Sequence, residues 1–276
     1  MTAITVGTPG ASGPGPVLAG SGWLTQTGQV LRRWLIAVMR QVWGPVMSLI
    51  QPVIWIVLFG HVFGSLGALP QFGGAGYIDY LVPGILMMTV LYSGAWAGNG
   101  FIDDINSGVM DQYLTSPISR SAIIAGQLAQ QLIINLAQSI VVLGIGWLAG
   151  ARYPGGLAGM AAGVGVATLL AAIFCCCSSA IALTTRSGIA LISLSQLVVL
   201  PATFLSTTMM PASLMPDWVV AVARWNPMTW AVELGRGGLS GSYPDAGWWQ
   251  VGGLAVLTVL AFLWAVRAIN SYQRSI

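Results

Sequence analysis

Charge is what this 276-residue chain has least of: Asp, Glu, Lys and Arg together make up 6% of it, where a soluble domain carries about a quarter. Such scarcity excludes a surface bathed in water and places the chain in a bilayer. Lysine is absent altogether, and all ten basic residues are arginine. A Walker phosphate loop needs its lysine on the β- and γ-phosphates. The polypeptide therefore cannot form one, and any ATP-driven work requires a separate hydrolysing chain. Histidine occurs once, at His61. The three cysteines, Cys175, Cys176 and Cys177, are consecutive, so they cannot staple distant segments. No Cys/His spacing suits zinc, and the three read as small apolar packing residues. A net charge of +3, scattered along the chain, is too weak a footprint for nucleic-acid binding.

What is present is apolar. Hydrophobic residues make up 56% of the chain and the mean hydropathy is +0.80, values of a polytopic membrane protein. Residues 1–22 are different, rich in Gly, Pro, Ser and Thr, which predicts a disordered tail. The tail has no arginine, so it lacks the positive n-region of a signal peptide. Residues 23–276 then form one membrane domain. A spanning helix needs about 20 apolar residues, and by that measure there are six spans, near 45–66, 82–102, 121–149, 157–184, 188–210 and 247–267. The expected class is all-α, with a mixed segment, 211–246, before the last span.

Arginine placement gives an orientation. Arg32, Arg33, Arg40, Arg120, Arg186, Arg267 and Arg274 fall on one side, and Arg152, Arg224 and Arg236 on the other. The richer side is cytoplasmic, which predicts both termini inside. Residues 23–43 repeat apolar side chains at Leu31, Trp34/Leu35, Val38/Met39 and Val42, a helical spacing. Arg32, Arg33 and Arg40 occupy the remaining face. This predicts an interfacial helix with its arginines among lipid phosphates, serving as an anchor or in force transmission.

None of the six spans contains Asp, Glu, Lys or Arg, apart from Arg267 at the very end of the last. Ion-driven transporters keep ionisable groups at membrane depth, so that class is disfavoured. Membrane-enzyme chemistry has no acid–base pair or activated nucleophile to use. Instead the spans carry glycine steps, Gly94/Gly98 and Gly155/Gly159/Gly163, which let helices approach closely. They also carry three polar stripes: Thr89, Tyr92, Trp96 and Asn99; Gln127, Gln131, Asn135 and Gln138; and Ser193, Gln196, Thr203 and Thr207. Unpaired amides facing lipid are costly, so each stripe faces either protein or a water-accessible path. Glu233 and Arg236 stand one helical step apart, and either pair locally or meet a substrate.

Between the second and third spans, Asp103 to Arg120 read DDINSGVMDQYLTSPISR. Asn106 or Ser107 can cap a short helix, Val109, Met110, Tyr113 and Leu114 form its apolar face, and Pro117 stops it. Tyr80 to Gln127 as a whole, with its Pro-Gly opening, acidic-then-Gly turn and SPISR ending, resembles the type-2 ABC exporter permeases, particularly the daunorubicin-resistance branch. MPASLMPDWVVAVARWNPMTWAVELGR (Met210 to Arg236) resembles that family's Pro-rich element before the last span, and PVIWIVLFGHVFG (Pro52 to Gly64) its first span.

The resemblance implies a six-helix permease subunit that pairs with a second copy, most simply as a homodimer, and binds two cytoplasmic ATPase subunits. ATP and Mg would sit on that ATPase and no cofactor on this chain. Asp103, Asp104, Gly108, Asp111, Leu114, Pro117 and Arg120 would form the coupling segment. Thr89, Tyr92, Trp96, Asn99, Gln196, Thr203 and Thr207 would line the pathway, and residues 211–246 would form re-entrant helices with Asn226-Pro227 at the break. Family members carry more charge where Met110–Gln112 stand here, so the coupling contact is expected to be less ionic. The expected cargo is an amphipathic drug, antibiotic or lipid-like metabolite leaving a bacterial cell across its plasma membrane. The alternatives are a polysaccharide or lipid-linked glycan, or a stand-alone channel or membrane enzyme.

Overall fold

A computed structural model of the protein describes residues 22–40, 43–62, 76–242 and 247–274. The sequence's N-terminal tail through residue 21 and the end of its first span, 63–66, lie outside the described residues. Within them every regular element is helical. In chain order these are α1 (Trp23–Arg40), α2 (Trp43–Val62), α3 (Tyr77–Trp96), α4 (Asn99–Asn106), α5 (Val109–Thr115), α6 (Arg120–Leu148), α7 (Gly156–Thr185) and α8 (Gly188–Phe204). A 3-10 turn (Ala212–Leu214), α9 (Asp217–Ala223), α10 (Pro227–Ser240) and α11 (Gly247–Arg274) follow. Four stretches are long and apolar enough to cross a bilayer: Tyr77–Asn106, α6, α7 and α11. The cores of α2 and α8 are shorter apolar helices. The chain is an all-α, multi-pass membrane protein.

Helix α7 is the centre, packed against α3, α6, α10 and α11. Its buried face is rich in Gly, Ala, Ser and Cys, so neighbouring backbones come very close. A Cβ on Gly159 would stand 2.1 Å from the Gly238 carbonyl of α10, and one on Gly94 would stand 2.7 Å from the Ala171 carbonyl of α7. The glycine steps therefore pack helices within one subunit. Cys175 and Cys176 are buried in the same helix, as packing residues should be.

Two expected spans end early, each for a visible reason. The second breaks at Ala97-Gly98, where the Gly98 N–H donates to Ser178 Oγ (2.9 Å), whose hydroxyl in turn donates to the Ala95 carbonyl (2.6 Å). A serine of α7 thus takes over hydrogen bonds that a continuous helix would keep. The fifth stops at Phe204 rather than 210. There the Asn226 amide donates to the Ala202 and Leu205 carbonyls, at 2.7 and 2.9 Å. Carbonyls left over at a helix end need such partners. The same side chain accepts from Met228 N (2.9 Å) and so caps α10, with Pro227 suited to its first turn.

Candidate functional site

The first feature is a cavity of about 800 Å³ between α2, α3, α6 and α8. Helix α3 contributes Thr89, Tyr92, Ser93 and Trp96, with Asn99 just beyond it. Helix α2 contributes Ser48, Gln51 and Trp55, α6 contributes Gln131 and Gln138, and α8 contributes Gln196. Among the described residues no acidic or basic side chain stands in the wall. Five of the seven expected pathway residues meet here. Thr203 and Thr207 do not. Thr203 turns its hydroxyl back onto the Val199 carbonyl (2.8 Å), and Thr207 is buried beyond the end of α8.

The α6 stripe packs and lines at once. Gln127 donates to the Ala97 carbonyl (2.8 Å) and accepts from Ser179 Oγ (2.7 Å), holding the α3 break in place. Gln131 donates to Ser93 Oγ (2.7 Å), and Gln138 donates to Ser48 Oγ (2.8 Å). The α2 wall was not expected from the sequence, although Ser48, Gln51 and Trp55 share one face of its helix by spacing.

The second feature joins the first helix to the segment after α3. Arg33 forms a two-pronged ion pair with Asp104 and donates to the Tyr113 hydroxyl (2.8 Å). Its guanidinium also lies over the rings of Trp34 and Tyr113, 5.6 and 5.2 Å from their centres. Burial opposes the Arg33 charge, but the Asp104 hydrogen bond and charge, with Tyr113 adding to them, hold its proton more tightly than usual. Burial pushes the Tyr113 hydroxyl up in spite of the nearby Arg33.

This geometry corrects two expectations. Arg33 is turned inward to an ion pair and is not spread among lipid phosphates; Arg32 and Arg40 remain exposed. Asp104 is 5% exposed, so it cannot present its carboxylate to a docking partner. Asp103, Asp111 and Pro117 are exposed. Gly108 starts α5 from the left-handed region (φ 72°), which suits glycine. Leu114 is half-buried, and Arg120 spans to the chain's other end by donating to Gln273 Oε1 (3.0 Å).

Residues 25–239 match the ABC-2 type transporter family. The chain belongs to that family. It is 27% identical over 219 residues to the daunorubicin resistance ABC transporter permease protein DrrB1 of Streptomyces coeruleorubidus, covering 79% of this chain and 75% of that one. It is 27% identical over 227 residues to the putative transport permease ycf38 of Porphyra purpurea (79% and 74%). Against the probable doxorubicin resistance ABC transporter permease protein DrrC of Mycobacterium tuberculosis it is 22% identical over 214 residues (78% and 75%). As an ABC-2 type permease, the chain is a membrane subunit and not itself an enzyme.

In this ABC-2 permease the mixed segment before α11 folds into the 3-10 turn, α9 and α10. Glu233 and Arg236 part company there. Glu233 accepts from Gln250 Nε2 (2.8 Å). Arg236 donates to the carbonyls of Tyr80 (3.2 Å) and Thr208 (2.8 Å) and stacks 3.5 Å from the Tyr80 ring centre. Tyr80 in turn donates its hydroxyl to the Thr207 carbonyl (3.1 Å). The turn after α8 is thus clasped between α3 and α10.

Proposed function

We propose that the protein is the membrane-spanning subunit of an ATP-driven exporter that carries an amphipathic, partly apolar compound out of a bacterial cytoplasm. The observation that carries this reading is the cavity: large, bounded by four helices, and walled with amides, hydroxyls and aromatic rings but no fixed charge. Pockets of about 300–1,000 Å³ hold drug-sized ligands, with few polar groups setting orientation. Thr89, Tyr92, Trp96, Asn99 and Gln196 are the proposed pathway residues, joined by Trp55, Gln131 and Gln138. The names of the resistance permeases of Streptomyces coeruleorubidus and Mycobacterium tuberculosis agree with such a cargo.

ATP and Mg would be bound by a separate cytoplasmic ATPase, present in two copies, against the exposed edge of the 103–120 segment. Asp103, Gly108, Asp111, Leu114, Pro117 and Arg120 belong to that edge, while Asp104 acts from within by holding it to α1. A second permease copy would cover α8, which buries only Leu191, Ser195, Val199 and Thr203 and leaves Leu197 71% exposed. Both termini would lie in the cytoplasm, by the arginine distribution.

The test is a gentle-detergent pull-down from native membranes, followed by an ATPase assay on whatever co-purifies. A stoichiometric ATPase with vanadate-sensitive turnover is the expected result. A single-component preparation that moves solutes in liposomes without ATP would refute the reading.

A further inference from the structure

A second hollow lies between α6 and α7, on the outer side of the bundle. It measures about 660 Å³ and is almost wholly apolar, bounded by Leu136, Ile140 and Trp147 on one helix and by Met160, Val164 and Thr168 on the other. Its length has a physical meaning. Leu136 to Trp147 rises about 17 Å along the helix, and one leaflet of a bilayer has a hydrocarbon depth of about 15 Å. The groove is therefore as deep as one leaflet.

Both walls are hollowed by glycine. Gly144 and Gly165 line the groove, and a Cβ added to either would meet nothing within 4 Å. At Gly126 of α6 and Gly159 of α7 the space is taken by Val30 and by the Gly238 carbonyl; at Gly144 and Gly165 no protein atom takes it. An unfilled apolar space forfeits dispersion contacts along its whole lining, so in a membrane it takes an apolar chain.

A charge follows next to the groove in the chain. Trp147 is 67% exposed in the last turn of α6, and tryptophan at the end of a span favours lipid headgroups. Tyr153 lines the groove and is tied to it by donating its hydroxyl to the Leu143 carbonyl (2.9 Å). The residue before it is Arg152. Its backbone N–H donates to Asp79 Oδ1 (2.6 Å), which fixes the turn, while its exposed guanidinium has no hydrogen-bond or ion-pair partner among the described residues. The other Asp79 oxygen accepts from Gly76 N (3.2 Å).

We infer that the α6–α7 groove is a binding site for one anionic glycerophospholipid, an acyl chain lying between Gly144 and Gly165 and the phosphate held at Arg152. This site is separate from the proposed export cavity and does not depend on it. It requires only that the two helices span a membrane. A lone arginine near a membrane surface adds about fivefold to the binding of an anionic headgroup.

The test uses the full chain purified in mild detergent and titrated, by native mass spectrometry, with dioleoyl phosphatidylglycerol and dioleoyl phosphatidylcholine. Wild-type protein should retain one phosphatidylglycerol per chain and prefer it about fivefold over phosphatidylcholine. Gly165→Leu places a side chain in the groove from a Cβ that meets no protein atom and should remove the bound lipid while the protein stays folded. Gly144→Leu should do the same from the opposite wall. Arg152→Gln should keep the lipid but abolish the headgroup preference. Lipid retained unchanged in both leucine variants would overturn the site, as would a headgroup preference surviving in Arg152→Gln. Loss of a dimer together with the lipid in Gly165→Leu would also overturn it, by assigning the groove to a second copy.

Discussion

Arg33 reaches from the first helix to Asp104, 71 residues away, and both prongs of its guanidinium are engaged by the one carboxylate. With Tyr113 as a third partner, the pair fixes α1 to α4 and α5. Arg33→Gln leaves a buried carboxylate unsatisfied, at a cost of about 1–3 kcal/mol. Asp104→Asn should cost a similar amount. Because the two act as one unit, the double variant should lose less than the sum, with a coupling of about 0.5–3 kcal/mol. Melting temperatures of the four proteins in one detergent measure it, and strictly additive losses would show that the contact contributes nothing.

The exposed face of the same segment should behave in the opposite way. Asp111 is solvent-facing in the first turn of α5, where a favourable charge is worth about 0.3–1 kcal/mol to a helix. Asp111→Arg should therefore lower the melting temperature only modestly, leave the protein folded, and yet lose ATP-driven transport in reconstituted vesicles. Normal transport by this variant would remove Asp111 from the coupling surface.

Glycine tests the packing directly. Gly159→Ala puts a Cβ 2.1 Å from a backbone carbonyl of α10, and overpacking of this kind costs about 1–3 kcal/mol. Gly252→Ala in α11 meets nothing within 4 Å and should be stabilising by up to about 1 kcal/mol, the helix-propensity gain. Opposite shifts in melting temperature are expected, and equal shifts would contradict the α7–α10 contact.

At the clasp, Tyr80→Phe removes one hydroxyl donor but keeps the ring beneath Arg236. The expected loss is about 0.5–1.5 kcal/mol. Arg236→Met removes donors to two carbonyls together with the ring contact, and should cost clearly more. Protease accessibility of residues 205–210 should rise in the second variant and hardly change in the first.

The helices were legible because apolar length is a one-dimensional property: Gly156–Thr185 and Gly247–Arg274 nearly coincide with runs visible in the sequence. Their interruptions were not. Ala97-Gly98 sits in a run compatible with helix, and the hydrogen bonds that break it come from Ser178, 80 residues on, helped by Gln127 and Ser195. Likewise Asp103 and Asp104 are identical neighbours on paper, and the difference between exposed and buried comes from Arg33. The polar stripes of α3 and α8 were found from spacing alone. That Gln131 and Gln138 share their cavity, and that Thr203 does not, depends on how the helices turn against one another. The ABC-2 motifs indicated the family because they are local; the α2 wall of the cavity carries no such signature.

The clasp around the turn after α8 also sets a schedule. Its partners, Tyr80 and Arg236, lie 156 residues apart, and translation at about 5–20 residues per second separates their emergence by about 8–30 s. Throughout that interval the Gly84 side of α3, against which the Thr208 carbonyl later rests, stands in the membrane without its cover. The first helices can pack as they are made, but this rim closes only once the chain has been made through Arg236. A ribosome that stops before Arg236 therefore leaves this rim unfinished, with the Tyr80 and Thr208 carbonyls lacking the Arg236 donors.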